Sequence, residues 1–191
     1  MQELNSTDMN NREVLNGPAY HEAGHILAIY LTCGSLDNID SSKVDSIKEG
    51  HPLDYQYGGF TKLNDEPSDI LDSILASPAF IEFGVDFVLA CYYYGGGVAE
   101  KLMMKQDTYN NSSMEDDMIF FKRRCEERNI KEPERLSELA LTFCEQNFNN
   151  MHSYLKEIAN KLIDASYKDE WGLYGRELSS IVEHVRCGAN T

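Results

Sequence analysis

The residues best suited to chemistry stand together near the N-terminus, in Ala19-Tyr20-His21-Glu22-Ala23-Gly24-His25. If this stretch is helical, His21 and His25 are related as i and i+4. Both imidazoles then leave one face, with Glu22 beside them. Neutral imidazoles are good ligands for a borderline ion such as zinc, and three protein ligands leave a fourth place for water, whose pKa falls to about 7. A carboxylate placed as Glu22 is can take a proton from that water and pass it to a leaving amine. The pattern therefore predicts one zinc ion, with His21 and His25 as ligands and Glu22 as general base. The plainer alternative is a pair of buried structural histidines that share a helix face.

Several features favour a helix here. Asn16 can cap it, Pro18 suits a first turn, and Tyr20, Ala23, Ile26, Leu27, Tyr30 and Leu31 form a stripe at helical spacing. Cys33-Gly34 offers a stop. Gly24 costs about 1 kcal/mol against alanine in a helix interior, so something is expected to pack closely on that turn. A second helical pattern follows Ser77-Pro78, with Val85, Val88, Leu89, Tyr92, Val98, Ala99, Leu102 and Met103 on its apolar face and Gly95-Gly96-Gly97 interrupting it. Such a run usually ends a helix; here it could mark a tight crossing, and the surface carrying Gly24 is the expected partner. As a phosphate cradle the run is a poor candidate, because no βαβ setting precedes the glycines and the chain contains no Gly-Lys dipeptide.

A zinc site needs a third protein ligand. His51, His152 and His184 have no partner at ligand spacing and are read as non-metal, which leaves a carboxylate: Glu100, Asp116 or Asp117. Spacing does not decide among them. Asn110-Asn111-Ser112-Ser113 reads as a loop ending in a cap, with Glu115, Asp116 and Asp117 in the first turn of the next helix, where acids ordinarily complement the dipole. The stretch from Gly34 to Asp72 is rich in acids and loop-like; within it Tyr57-Gly58-Gly59-Phe60-Thr61-Lys62-Leu63 predicts one short strand, or simply one arm of a hairpin. Farther on, Leu136, Leu139, Ala140, Phe143 and Cys144 form one stripe and Met151, Tyr154, Leu155, Ile158, Ala159, Leu162 and Ile163 another, predicting a helical pair. Trp171 to Gly175 reads as a turn, and Leu178, Ile181, Val182 and Val185 as the start of a last helix.

Composition narrows the partners. A net charge of -15 argues against tracking nucleic-acid phosphates or an anionic lipid face. With 191 residues, 42% of them hydrophobic, one domain with a sizeable core is the default. Cys33, Cys91, Cys125, Cys144 and Cys187 are an odd, widely spaced set that reads as reduced thiols of a cytoplasmic protein. Residues 1–15 are expected to form a flexible polar leader, without the apolar region of a secretory signal, and the weakly polar run from Phe87 to Ala99 is too short to span a bilayer.

In order along the chain, these motifs resemble the protease domain of the ATP-dependent zinc metalloproteases of the FtsH type. Ala19 to His25 is similar to that family's opening helix, and Tyr57 to Thr61 followed by Asp65-Glu66 to its Leu-Gly-Tyr-Thr edge strand and acidic turn. Gly95-Gly96-Gly97-Val98-Ala99-Glu100 resembles its Gly-Gly-Arg-x-Ala-Glu helix, Ser113 to Met118 its Ser-Asn-Asp-Ile turn, and Leu173 to Leu178 part of its helical tail. The resemblance implies Asp117 as third zinc ligand, since Met118 then takes the place of the Ile. Counting without a gap from Glu100 keeps Asp116 open. It implies Glu100 as a support behind the ligands, and Tyr57, Gly58, Gly59, Phe60 and Thr61 as the strand onto which an extended substrate adds.

The expected fold is α+β, mainly helical and zincin-like, with a small sheet and a C-terminal helical bundle. Residues 16–191 would form one domain, 16–128 carrying the metal site and 129–191 the helical tail. The expected activity is that of a zinc metalloendopeptidase acting on unfolded or flexible polypeptide. A catalytically inactive binding or regulatory module, and a metal-dependent hydrolase of a non-peptide substrate, are the alternatives. Within these 191 residues no AAA module, Walker lysine or membrane anchor is expected, and Gly97 stands where the family has Arg. A separate ATPase or unfoldase partner, and an oligomer, would be compatible with it.

Overall fold

The computed structural model describes residues 6–46, 57–168 and 172–188. Two long helices form its centre. The first, α1 (Ser6–Cys33), carries the His-Glu-x-x-His motif; the other, α4 (Val85–Met103), has nearly every residue from Asp86 to Glu100 buried. They meet at their glycines. A Cβ on Gly24 would stand 2.2 Å from the carbonyl oxygen of Gly95, and one on Gly95 would stand 2.7 Å from that of Gly24, so the two backbones touch and neither position admits a side chain. Gly95-Gly96-Gly97 thus runs through α4 without ending it, because the absence of side chains is what allows the crossing.

The start of α1 corrects the expected boundary. The helix begins at Ser6, well ahead of Asn16, and residues 6–15 belong to it; Pro18 is an interior residue instead of a first-turn one. Proline in a helix interior loses a hydrogen bond and crowds the preceding turn. Burial on both sides of it holds the helix together, Leu15 and Ala19 being part of the core. At the other end Gly34, with φ of 74°, turns the chain away and donates its N–H to the Tyr30 carbonyl, as the Cys33-Gly34 stop predicts.

A three-stranded antiparallel sheet lies against α1. Its order is β2 (Tyr57–Leu63), β1 (Ile39–Ser46), β3 (Leu173–Tyr174). The central strand was not expected: Ile39-Asp-Ser-Ser-Lys-Val44-Asp-Ser is poor in strand-forming residues. A register shift between Ile39 and Ser41 breaks its alternation, and both Ser41 and Ser42 are buried because β1 is covered by neighbours on either side. Leu173–Tyr174, expected as part of a turn, pairs instead with Ser42 and Ser41; Trp171 and His51 lie outside the described residues. Among the described strands, β2 has a neighbour on one side only.

The remaining helices surround this core. After α2 (Asp72–Leu75) and α3 (Pro78–Phe83), which Ser77 caps by accepting the Phe80 N–H, come α5 (Glu115–Glu127), α6 (Pro133–Phe148), α7 (His152–Tyr167) and α8 (Gly175–Gly188). The predicted pair α6 and α7 packs on α4 and α1 respectively, with Leu136, Ala140, Cys144, Leu155, Ile158, Ala159 and Leu162 joining the same apolar cluster as Ile26 and Leu27. The short, amphipathic α5 is clamped by Arg124, whose Nε donates to Asp86 Oδ1 at 2.8 Å while Nη1 donates to Glu66 Oε1 at 2.9 Å. Cys33, Cys91, Cys125 and Cys144 are buried free thiols. No helix among the described residues is long and apolar enough to cross a membrane. The architecture is therefore α+β and mainly helical.

Candidate metal centre

The crossing of α1 and α4 buries His21, Glu22 and His25, leaving them 6%, 4% and 3% exposed. Side chains this polar need partners at such depth, and each has them. His25 Nδ1 lies 2.7 Å from the carbonyl oxygen of Tyr92, an atom that can only accept; Nδ1 therefore carries the proton, and in the neutral ring Nε2 presents a lone pair. His21 is arranged alike, with Nδ1 3.4 Å from Glu100 Oε2. Both Nε2 atoms turn toward one oxygen, Asp117 Oδ2, at 2.9 Å from His21 and 3.4 Å from His25.

Lone pairs of two imidazoles and a carboxylate repel one another unless a cation lies between them. Donors bound at about 2.0–2.1 Å to one tetrahedral zinc ion stand about 3.3 Å apart, close to the separations here. The donor types suit the ion as well, and Gly96 allows the arrangement: a Cβ there would meet His21 Nε2 at 2.5 Å and His25 Nε2 at 2.7 Å. Without a metal, protons serve as the cations. Burial alone would depress the pKa of His21, but hydrogen bonds to Asp117 and Glu100, with the charge of Glu22, raise it to about 10. For His25, burial is likewise outweighed by Asp117, and its pKa is raised. Asp117 is pulled far below the ordinary carboxylate range, the two imidazoles overcoming a burial effect of opposite sign.

Glu22 lies to one side. The ligand-capable atoms of His21, Glu22 and His25 are within 4.8 Å of one another, so this trio alone could hold a metal ion. Thr61 draws Glu22 aside, its hydroxyl donating to Oε2 at 2.7 Å. Burial raises the Glu22 pKa, against the lowering influence of both imidazoles and of Thr61.

Glu100 faces His21 from the rear and is held by Ser113 Oγ at 2.5 Å and Asn110 Nδ2 at 3.0 Å. These bonds, with that to His21, keep its pKa low despite burial. The expected cap role of Ser113 is thereby corrected: α5 follows Met114 with no side-chain capping bond, because the Ser113 hydroxyl is taken up by Glu100 and the Asn110 carbonyl. Met114 fills the space beside Gly97, where a Cβ would come within 2.2 Å of its sulfur. An arginine at position 97 would collide with it.

The structure thus brings His21, Glu22, His25, Glu100 and Asp117 together, and leaves Asp116 exposed in the first turn of α5. His152 and His184 are exposed, on α7 and α8 respectively. Of the strand expected to bind substrate, Gly59 and Phe60 are exposed and Gly58 and Thr61 half-buried; Tyr57 belongs to β2 by its backbone, its side chain being outside the described residues. Sequence reasoning missed Tyr92. Its carbonyl orients His25, its ring packs 4.8 Å from the His25 ring, and its hydroxyl donates to the Thr61 carbonyl at 2.5 Å. Helical spacing places Tyr92 on the apolar face of α4 and carries no sign of these polar roles. Asn110 and Ser113 were missed as partners of Glu100 because, as loop and cap residues, they carry no spacing that ties them to α4. The chain matches no protein-family model and no curated protein.

Proposed function

We propose that this protein is a zinc-dependent metallopeptidase with a zincin-like fold, and that it cleaves flexible or unfolded polypeptide. The observation that carries the reading is the convergence of both Nε2 atoms on Asp117 Oδ2, with each Nδ1 held from behind and Glu22 alongside. His21, His25 and Asp117 would hold the ion. Bound there, zinc supplies Lewis acidity and lowers the pKa of water to about 7.

The chain's own residues supply the remainder. Glu100 and the Tyr92 carbonyl fix the tautomer and ring orientation of the two histidines, as partners behind metal ligands do. Glu22 accepts a proton from the attacking water and delivers it to the leaving nitrogen, its carboxylate poised between burial, which favours the neutral form, and the imidazoles, which favour the charged one. The side of β2 that has no strand partner among the described residues would offer main-chain groups to an extended peptide, giving recognition that tolerates many sequences. Polypeptide is favoured over a small substrate because the strand runs directly beside Glu22.

The test is hydrolysis of labelled casein by protein containing stoichiometric zinc. Activity should vanish with a chelator, return with zinc, and be lost by a factor of about 10² to 10⁴ in Glu22→Gln at unchanged zinc content. Bound zinc without turnover on any polypeptide would leave a binding module instead.

A further inference from the structure

Strand β2 faces two ways. One edge has no strand partner among the described residues, while the residues Gly59 and Thr61, alternating along the strand, both meet Glu22. The Thr61 hydroxyl has a single proton and gives it to Glu22 Oε2 at 2.7 Å; the neighbouring Ser42 Oγ, fully buried on β1 and 2.8 Å from Thr61 Oγ1, must then be the donor in that second bond. The chain Ser42 to Thr61 to Glu22 therefore has one direction, ending on the carboxylate. Thr61 is itself anchored through its carbonyl, which accepts from Tyr92, the residue whose own carbonyl orients His25.

Gly59 completes the seat by what it lacks. A Cβ there would stand 2.7 Å from Glu22 Cγ and 2.8 Å from Oε1, with the Lys43 carbonyl at 2.9 Å blocking retreat. Its φ is not among the left-handed ones, so space and not backbone conformation is what glycine provides at this position.

We propose that Thr61 is the positioning residue of the general base: it pins Oε2 of Glu22 so that Oε1 is left to face the reacting water, while Gly59 keeps the space that Oε1 occupies. Resting on the peptidase reading, this gives β2 a role beyond holding substrate, since the strand that lines the peptide also aims the base.

Two measurements test it. In zinc-loaded protein acting on labelled casein, the isosteric Thr61→Val change lowers kcat roughly 10- to 100-fold with KM and zinc content unchanged, and Thr61→Ser restores kcat. A change confined to KM, or a failure of serine to rescue, would overturn the proposal. The second uses metal-free protein and melting midpoints. Thr61→Val should lower the midpoint more in the natural background than in Glu22→Ala; the loss of Ser42's partner is common to both and cancels in the cycle. Equal shifts in the two backgrounds would overturn the Thr61–Glu22 link whatever the enzymology. If casein is not cleaved at all while the two shifts differ, the peptidase reading fails and the positioning contact stands.

Discussion

Where α1 crosses α4, backbone lies against backbone; where α5 reaches the same cluster, only side chains bridge the gap. Gly24 and Gly95 are in main-chain contact, and the surrounding residues are buried. By contrast α5 presents Asp117 from a partly exposed first turn, lacks a side-chain cap, and leaves Ile119 and Phe120 at the surface. Its position depends on Phe121 and Cys125, its two buried residues, on the Arg124 clamp to Asp86 and Glu66, and on Met114 against Gly97. The difference teaches that the histidine pair is a product of the core, whereas the carboxylate is brought to it by a more weakly held element. Damage should therefore separate: lesions at the crossing cost the fold, lesions on α5 cost the metal.

The largest effect is expected from Gly24→Val. Its side chain would overlap the Gly95 carbonyl, and destabilisation of about 3 kcal/mol or more should appear as a lowered urea midpoint, with zinc binding lost only as a consequence. Asp117→Ala should do the reverse. Its circular dichroism should stay that of the parent while zinc affinity, measured by titration, falls by more than the roughly 10- to 100-fold typical of removing an outer partner. Asp116→Ala, altering an exposed neighbour, should leave affinity unchanged; the opposite ranking of these two would make Asp116 the ligand.

A further effect concerns pH. In the metal-free protein the His21 pKa is raised to about 10, against about 6.5 for an unfolded histidine. A raised value means that the folded state holds the proton more tightly. The stabilisation is complete below pH about 6.5 and is lost as pH rises through about 10. Urea midpoints of chelator-treated protein should decline over that window. Zinc, by replacing the protons, should flatten the decline and bind more tightly as pH rises, with protons released on binding.

Much of this arrangement was legible in the residues. The spacing of His21 and His25 sets both rings on one helix face, and it does so in any fold that keeps the stretch helical. Gly24 and Gly95 pointed to each other because glycine inside a helix is costly unless something needs the space. The stripes of α6 and α7 were visible since period and apolarity coincide there. Strand β1 was not, because Ser41 and Ser42 are polar residues buried by neighbouring strands and partners, and a register shift erases the alternation that would have marked them. The true start of α1 was hidden by Pro18, whose local preference is overruled by the burial of Leu15 and Ala19.

The sequence by itself determined the chemistry on offer: two imidazoles at one-turn spacing, a carboxylate between them, and a choice of three further acids. Local geometry suffices for that, because side-chain direction within a helix follows from the backbone alone. Which acid arrives, and on which nitrogen, was decided only in three dimensions. Asp117 of α5 meets Nε2 and Glu100 of α4 faces Nδ1, and these separations of 96 and 79 residues are closed by packing that no spacing rule encodes.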